Sequence, residues 1–314
     1  MNKDNLKPKQ YTVPEELSVG MKNTMGTLYT GKIFGITATA HNSGFPLSHD
    51  TYNGIYAASD GLIYYALCSE SIDEGGKMYS FNPHTKQIIL CGDLTEACGE
   101  KGLNTIPQGK NHVNFVETDG KLFFGTHIGY YNNEKGIDKM GIPPEGYNIY
   151  PGGHLLSYDL KTKQFEDLGI VPQREGVLSM NMDISRRLIY GITWPSGYFF
   201  RYSLEKNEME NLGTISGGGE AGTGKEYRTL CRSIAINPED GSAYYSTSEG
   251  DIFRCAWDKD KIELIEEDSL KKDYFGYYDP SSPGHMGYNW RQVFWHQKSK
   301  SFYGVHGNSG YFFR

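Results

Sequence analysis

Short runs of alternating apolar and polar residues, separated by Gly, Asn and Asp turn residues, extend along most of the chain. One kind of run contains an aromatic residue followed directly by a small one, with a few further residues after this pair. It recurs as KIFGITA, LIYYALC, LFFGTHI, LIYGITW, AYYSTSE and SFYGVHG. Alternation over a few residues between turn signals predicts β-strands rather than helices.

These runs belong to a longer repeat. An apolar segment closed by a turn precedes the run, as in HVNFVETDG, and a further strand pair opened by Gly follows it, as in GHLLSYDLKTKQFEDLG. Each period therefore reads as four antiparallel strands joined by short polar turns. A sandwich would not explain why turns and strand ends recur in the same order. We predict an all-β fold, a β-propeller of four-stranded antiparallel blades, with five blade-scale repeats visible.

The repeat also predicts the domain organisation. We expect one propeller domain over residues 1–314, with about the first 25 residues extended and a loop insertion at residues 131–153. The last repeat reaches Arg314 at a position that aligns with the middle of a blade. Either a strand within Tyr11 to Ala40 completes that blade or the chain is cut short.

Composition agrees with short, twisted strands. Aromatic residues make up 14% of the 314 residues, with 24 Tyr, 15 Phe and 39 Gly, whereas hydrophobic residues reach only 38%. No apolar run approaches the ~20 residues that span a bilayer, so we expect no membrane partner. Five cysteines without CxxC spacing argue against a disulfide framework. The start of the chain lacks the features of a signal peptide, which predicts a cytoplasmic protein, or a secreted or periplasmic one if this is a mature form.

The charge balance narrows the class of ligand. The chain has 31 Lys and Arg against 38 Asp and Glu, a net charge of −7. The electrostatic field of an acidic protein does not favour binding of nucleic acid, so an anionic ligand must be held by a local cluster of cationic side chains. We expect such a cluster where the loops entering the innermost strands open around the central channel. The candidate residues there are Asn111, His112, His127, Arg174, Trp194, Tyr198, Arg228, Arg232, Arg291 and His306.

Several arginines pointing into one funnel favour a bound carboxylate, because the guanidinium fork matches it. Aromatic side chains beside them suit a cyclic ligand. A uronic-acid-containing oligosaccharide satisfies both demands. The alternative for Arg174, Arg228, Arg232 and Arg291 is a solvated surface or an ion pair with Glu175, Glu220 or Glu226.

Two histidines are candidates for acid and base chemistry. His112 and His127 lie at opposite ends of one predicted hairpin, so antiparallel pairing brings their imidazoles together. Alternatively, each caps a strand end or binds a structural metal. His41, His49, His154 and His285 could supply metal ligands, although no HxH or HExxH spacing supports this.

Carboxylates are the candidates for glycoside hydrolysis. Asp50, Asp183, Glu175 and Glu220 have suitable positions, but none has a partner at a spacing that fixes the geometry. The Gly-rich segment from Ser216 to Glu226 lacks the GxxxxGK[ST] pattern and is interpreted as a flexible linker rather than a phosphate loop.

Three segments carry a family resemblance: GKNHVNFVETDGKLFFGTH, YPGGHLLSYDLKTKQFEDLG and LIYGITWPSGYFFRYSL. Between Lys110 and about Leu204 the chain resembles the β-propeller polysaccharide lyases, the group of ulvan lyase and rhamnosyl-glucuronate lyase. The resemblance implies a seven-bladed propeller that cleaves at a glucuronate or iduronate by β-elimination. It also implies a structural divalent metal where one is present, Zn or Ca, and no organic cofactor.

The family's catalytic residues transfer to positions of this chain by the same resemblance. Its two histidines correspond to His112 and His127, its tyrosine and arginine to Tyr198 and Arg228, and Trp194 stands where a rim aromatic is expected. The resulting expectation is a monomeric lyase that acts on an anionic oligosaccharide or polysaccharide. The alternatives are a propeller that binds a glycan or a protein without turnover, and a glycoside hydrolase on the same scaffold.

Overall fold

The computed structural model describes residues 9–12, 37–134 and 136–314, and the chain divides into two compact units, Met1–Pro46 and Leu47–Arg314. In the first unit, β1 (Lys9–Thr12) pairs antiparallel with β2 (Thr37–Ala40). Only the last two residues of the run KIFGITA are among the described residues. Most of the predicted extended start and most of the segment predicted to complete the last blade also lie outside the described residues. That one domain covers residues 1–314 stays a prediction.

The second unit consists of antiparallel sheets that follow one another along the chain. Blade 1 comprises β3 (Ile55–Ala57), β4 (Ile63–Leu67), β5 (Lys77–Phe81) and β6 (Ile88–Asp93), and is followed by the short helix α1 (Leu94–Ala97) and by β7 (Gln108–Lys110). Blade 2 comprises β8 (Val116–Thr118), β9 (Lys121–Gly125), β13 (His154–Asp159) and β14 (Phe165–Ile170). Between β9 and β13 lies an insertion that contains β10 (His127–Ile128), β11 (Tyr131–Glu134) and β12 (Ile137–Met140).

The remaining sheets contain no such insertion between their strands. Blade 3 comprises β15 (Gly176–Asp183), β16 (Leu188–Trp194), β17 (Tyr198–Ser203) and β18 (Glu208–Thr214). Blade 4 comprises β19 (Ala235–Ile236), β20 (Ala243–Ser246), β21 (Asp251–Cys255) and β22 (Ile262–Ser269). Blade 5 comprises β23 (Trp290–His296), β24 (Ser301–His306) and β25 (Phe312–Phe313). Short 3₁₀ turns lie at Pro172–Arg174, Gly219–Ala221, Gly224–Glu226 and Asp273–Phe275.

The predicted four-stranded repeat is therefore confirmed in four sheets, and in the described residues the fifth has three strands. The predicted insertion contains a hairpin, in which β11 pairs with β12. In the described part of the chain, all five cysteines are free thiols, and none of the helices is long and apolar enough to cross a bilayer. The seven blades implied by the family resemblance stay a prediction.

Both faces of blade 3 are buried. Along a strand, successive side chains point to opposite faces. Ile189 and Phe200 accordingly belong to the core that blade 3 shares with blades 1 and 2, whereas Tyr190 and Phe199 belong to the core shared with blades 4 and 5. A sheet covered on both faces by its neighbours is the packing expected of a blade.

The small residue that recurs after an aromatic one has a steric cause. A Cβ atom at Gly191 would collide with the ring of Phe200 on the next strand, and a Cβ at Gly304 would collide with the ring of Phe313. The larger aromatic side chain therefore crosses over the glycine of its neighbour. The preceding aromatic points to the other face, and Tyr190 and Tyr245 are fully buried there as packing residues.

A charged histidine links blade 2 to the segment before it. Nδ1 of His154 lies 2.9 Å from Asp167, and Nε2 lies 2.9 Å from Glu100. Burial by itself would lower the pKa of His154, but the hydrogen bonds and charges of Asp167 and Glu100 outweigh it and raise the pKa to about 9. Both ring nitrogens are used, so this imidazole is not available to a metal.

The raised pKa predicts a loss of stability at alkaline pH. Protonated His154 contributes fully to the stability of the fold at pH values below its ordinary pKa of 6.5. This stabilisation is lost as the pH rises through the folded-state pKa of about 9. We expect the free energy of unfolding to fall by about 3 kcal/mol over this range, measured by urea unfolding at a series of pH values. His154→Gln should flatten the profile while the exposed control His84→Gln should not. An unchanged slope in His154→Gln would contradict the assignment.

Candidate functional site

A cavity of about 350 Å³ opens where the loops of several blades meet. It is lined by Tyr52, Asn53, His112, His127, Tyr131, Gly136, Ile137, Asp138, Leu178, Trp194, Glu220, Tyr227, Arg232, Pro283, Gly284, Arg291 and Gln292. These residues precede or begin the innermost strands, or follow the second strands, of several blades. The cavity therefore opens at the end of the blades that carries these loops; that it is the functional site stays a prediction.

The structure places His112 and His127 side by side, with ring centroids 4.3 Å apart. The cause is the antiparallel pairing of β7 with β10, in which His127 lies opposite Lys110. This pair extends beyond the β8–β9 hairpin, so the two imidazoles meet through a separate two-stranded ladder. Tyr52 also stacks on His112, at a centroid distance of 3.8 Å.

Both imidazoles are neutral in the folded protein. Burial lowers the pKa of His127 to about 3, opposed by its hydrogen bond to Ile128 and reinforced by the charges of Lys110 and Arg232. Burial also lowers the pKa of His112 well below its usual value, and the neighbouring His127 adds to this effect. The site therefore offers uncharged imidazoles at neutral pH.

The hydrogen bonds of His127 define which nitrogen carries its proton. Nδ1 lies 2.9 Å from the carbonyl oxygen of Ile128, which can only accept, so Nδ1 carries the hydrogen and Nε2 has a free lone pair. Among the described residues, Nε2 of His127 and Nε2 of His112 are both buried without a hydrogen-bond partner. Unpartnered buried polar atoms are costly and point to a ligand or water that completes them.

Arg232 forms the cationic wall of the cavity. Its NH2 group donates to Glu220 at 2.7 Å, while its NH1 group is buried and has no partner in the described part of the chain. Glu220 also accepts from the indole nitrogen of Trp194 at 2.9 Å and from the backbone nitrogen of Leu230 at 3.0 Å. One half of the guanidinium is thus fixed and the other is left for an anion.

A second cation lies behind the histidines. Lys110 is almost completely buried, and its ammonium lies 3.1 Å from Asp50 and 2.7 Å from Glu70. The same ammonium lies over the rings of Tyr52 and Tyr131, at 5.2 Å and 4.6 Å from their centroids. Lys110 therefore holds together two aromatic walls of the cavity.

The candidate ligands for the metal implied by the family resemblance are His49, Asp50 and Glu70, whose ligand atoms lie within 4.8 Å of one another. The ammonium of Lys110 already contacts both carboxylates. A divalent cation at this position would be repelled by that buried charge. These three residues therefore do not fit a metal ion.

The other predicted site residues lie elsewhere. Among the described residues, the cavity wall does not include Asn111, Arg174, Tyr198, Arg228 or His306. Arg228 forms an ion pair with Glu249 and donates to two backbone carbonyls, so its guanidinium is already bound. Arg174 is exposed in the loop before blade 3, and the backbone nitrogen of Tyr198 donates to Thr193 at the start of β17.

Two of these residues are buried near their own blades. Asn111 accepts from the backbone of Val113 through its side-chain oxygen. His306 stacks on Phe275 with an interplanar angle of 6°. Trp194 does line the cavity, but it is only 4% exposed and its indole nitrogen is bound, so it is a wall rather than a rim aromatic.

Sequence reasoning missed Tyr52, Tyr131 and Lys110, and it included Glu220 only as a candidate carboxylate or an ion-pair partner. Tyr52 precedes the first described blade, and Tyr131 opens the inserted hairpin, so neither belongs to the repeat. Lys110 could have been suspected, because it lies two residues before His112 in an otherwise apolar and polar-neutral stretch.

Comparison with known proteins supports the fold. No family model matches the sequence, and no curated protein matches it. The structure is similar to the Dos1 propeller, with a TM-score of 0.51, 16% identity and coverage of 88% of this chain and 61% of that chain. The chain thus spans less than two thirds of that relative. At this identity the likeness shows the fold alone, a β-propeller.

Two weaker structural likenesses have TM-scores below 0.5. A crystal structure of a nidogen/laminin complex matches with a TM-score of 0.47 and 9% identity, over 90% of this chain and 78% of that chain. A putative 6-phosphogluconolactonase from Bacteroides uniformis matches with a TM-score of 0.45 and 12% identity, over 83% of this chain and 66% of that chain. Propellers host many functions, so these names indicate no activity for this chain.

Proposed function

We propose that this chain is a glycan lyase that binds a uronate-containing oligosaccharide in the cavity and cleaves it by β-elimination. The observation that carries the proposal is the pair of neutral imidazoles, His112 and His127, with unpartnered Nε2 atoms in the same cavity as the free NH1 group of Arg232. A carboxylate completes the guanidinium, and a lone pair beside it can accept a proton.

Arg232 binds the uronate carboxylate. Its NH2 group is held by Glu220, which orients the planar guanidinium before the ligand arrives. Tyr52 is 41% exposed and stacks on His112, so its ring offers an apolar face to the sugar. This arrangement gives Arg232 the role that the family resemblance assigns to Arg228.

His127 accepts the C5 proton through Nε2. The electron pair of the C5–H bond forms the C4=C5 double bond, and the bond between C4 and the glycosidic oxygen breaks. Negative charge that develops on the carboxylate is stabilised by Arg232. The bound carboxylate also raises the low pKa of His127, because its negative charge offsets the charges of Lys110 and Arg232 that lower it.

Tyr52 donates the proton that the leaving oxygen needs, after its hydroxyl, which donates to Asp50 at 2.6 Å in this structure, turns to that oxygen. Burial and the hydrogen bond to Asp50 raise the pKa of Tyr52 to about 12, which keeps the hydroxyl protonated, while the charge of Lys110 lowers it. That ammonium, 3.5 Å from the hydroxyl oxygen, stabilises the phenolate left behind. The proton on His127 then returns to Tyr52 through solvent, which restores both groups.

The proposal is tested by following ultraviolet absorbance after the protein is mixed with polygalacturonate, hyaluronan or ulvan. Elimination creates a conjugated unsaturated uronate, so we expect absorbance to grow with at least one of these substrates. New reducing ends without absorbance would indicate hydrolysis instead and would contradict the proposal.

Binding without turnover is the second candidate, and the low pKa of His127 favours it, because such an imidazole is a weak base when the cavity is empty. It is distinguished by calorimetry. Heat of binding to a uronate polymer together with a flat absorbance trace would support a binding propeller.

A further inference from the structure

The inserted hairpin of blade 2 forms one side of the cavity. Tyr131 lies in β11, Gly136 precedes β12, and Ile137 and Asp138 lie in β12; all four line the cavity. The hairpin is internally braced, since the side chain of Asn133 donates to Asp138 at 3.0 Å. The hairpin is therefore an ordered part of the cavity wall.

The hairpin is anchored to a distant segment of the chain. The ammonium of Lys139 donates to the carbonyl oxygens of Glu220 at 2.9 Å and Ala221 at 3.2 Å. At its base, the ring of Tyr131 packs edge-on against Trp194 at 5.5 Å. The hairpin thus bridges from blade 2 to the loop before blade 4, and it closes the cavity along that side.

Charge distinguishes the closed side from the rest of the wall. Asp138 places a carboxylate on the hairpin, where it repels an acidic chain. On the part of the wall formed by blade 5, Arg291 is exposed, and its NH1 group donates to the sulfur of Met286 at 3.8 Å rather than to a carboxylate. The positive charge of Arg291 therefore attracts an acidic glycan to that side of the cavity, and the negative charge of Asp138 repels it from the hairpin.

We propose that the cavity accepts only the reducing end of an acidic glycan chain. The terminal uronate binds at Arg232, and the rest of the chain, attached through the oxygen on C4 as the elimination requires, leaves past Arg291. This inference rests on the proposed function. The volume of about 350 Å³ agrees with it, because it lies near the lower limit of the ~300–1,000 Å³ typical of ligand pockets. A chain that continued beyond Arg232 on the side of the hairpin would collide with it.

The test measures stoichiometry, which does not depend on turnover. A short and a long size fraction of polygalacturonate, hyaluronan and ulvan are titrated into the intact protein by calorimetry at low temperature. End recognition predicts one protein bound per glycan chain at both lengths. Several proteins per long chain would show internal binding and overturn the inference, while leaving the proposed function standing.

A shortened hairpin provides the second measurement. Tyr131 pairs directly with Met140, so residues 132–139 can be replaced by an Asn-Gly turn that keeps this pair. We expect the shortened variant to bind more than one copy per long chain, whereas the exposed control Lys161→Ala should behave as the wild type. If the shortened variant still binds one copy per chain, the hairpin does not select chain ends. Absence of binding to every fraction would overturn the proposed function itself.

Discussion

His127→Gln is expected to lower the rate of uronate elimination by about 10²–10⁴-fold, the usual contribution of a positioned general base. The amide of Gln can occupy the same space but cannot accept a proton from carbon at neutral pH. Affinity for the glycan should change little, because Arg232 and Tyr52 remain in place. The measurement is the absorbance rate at saturating substrate, with binding followed by calorimetry.

The matched control for His127→Gln is His84→Gln, on an exposed turn of blade 1. It should retain the wild-type rate. If His127→Gln turned over substrate as fast as His84→Gln, His127 would not be the base. A change confined to KM would assign His127 to binding and would favour the propeller that binds without turnover.

Glu220→Ala is expected to lower the free energy of unfolding by about 3 kcal/mol, because it removes one carboxylate that serves three donors. Arg232 would lose its ion pair inside the cavity wall, and the indole of Trp194 and the backbone of Leu230 would each lose an acceptor. Buried donors without partners carry the full cost of leaving water. The measurement is urea unfolding at neutral pH.

Two variants bracket the effect at Glu220. Glu220→Gln keeps an acceptor oxygen and should be less destabilising than Glu220→Ala. Glu226→Ala removes an exposed carboxylate from the same Gly-rich segment and should have little effect. Equal stability of Glu220→Ala and Glu226→Ala would show that the carboxylate does not hold this wall together.

The Gly-rich segment illustrates how an interpretation from sequence can be incomplete. Its composition indicated a flexible linker between blades. In the structure, this segment places Glu220 in the cavity wall, where its carboxylate accepts from the indole of Trp194. A backbone carbonyl of the segment also accepts a hydrogen bond from the ammonium of Lys139 in the hairpin. Glycine content indicates freedom of the backbone, but a few tertiary hydrogen bonds determine what the segment does.

The sequence by itself determined the strands, the blade repeat and the meeting of His112 with His127. These features depend on the two-residue period of a strand and on antiparallel pairing between segments close in the chain, and both are visible locally. The small residue after each aromatic was equally visible, although the ring of Phe200 that explains it at Gly191 became apparent only in the folded sheet.

Only the tertiary structure decided which arginine faces the cavity. Arg228 and Arg232 lie four residues apart in the same loop, yet Glu249 binds the first outside the cavity wall and Glu220 holds the second within it. Tyr52 likewise reaches His112 from a segment far away in the sequence. Side-chain direction and ion-pair choice are set by contacts between distant segments, and no local pattern of apolar and polar residues encodes those contacts.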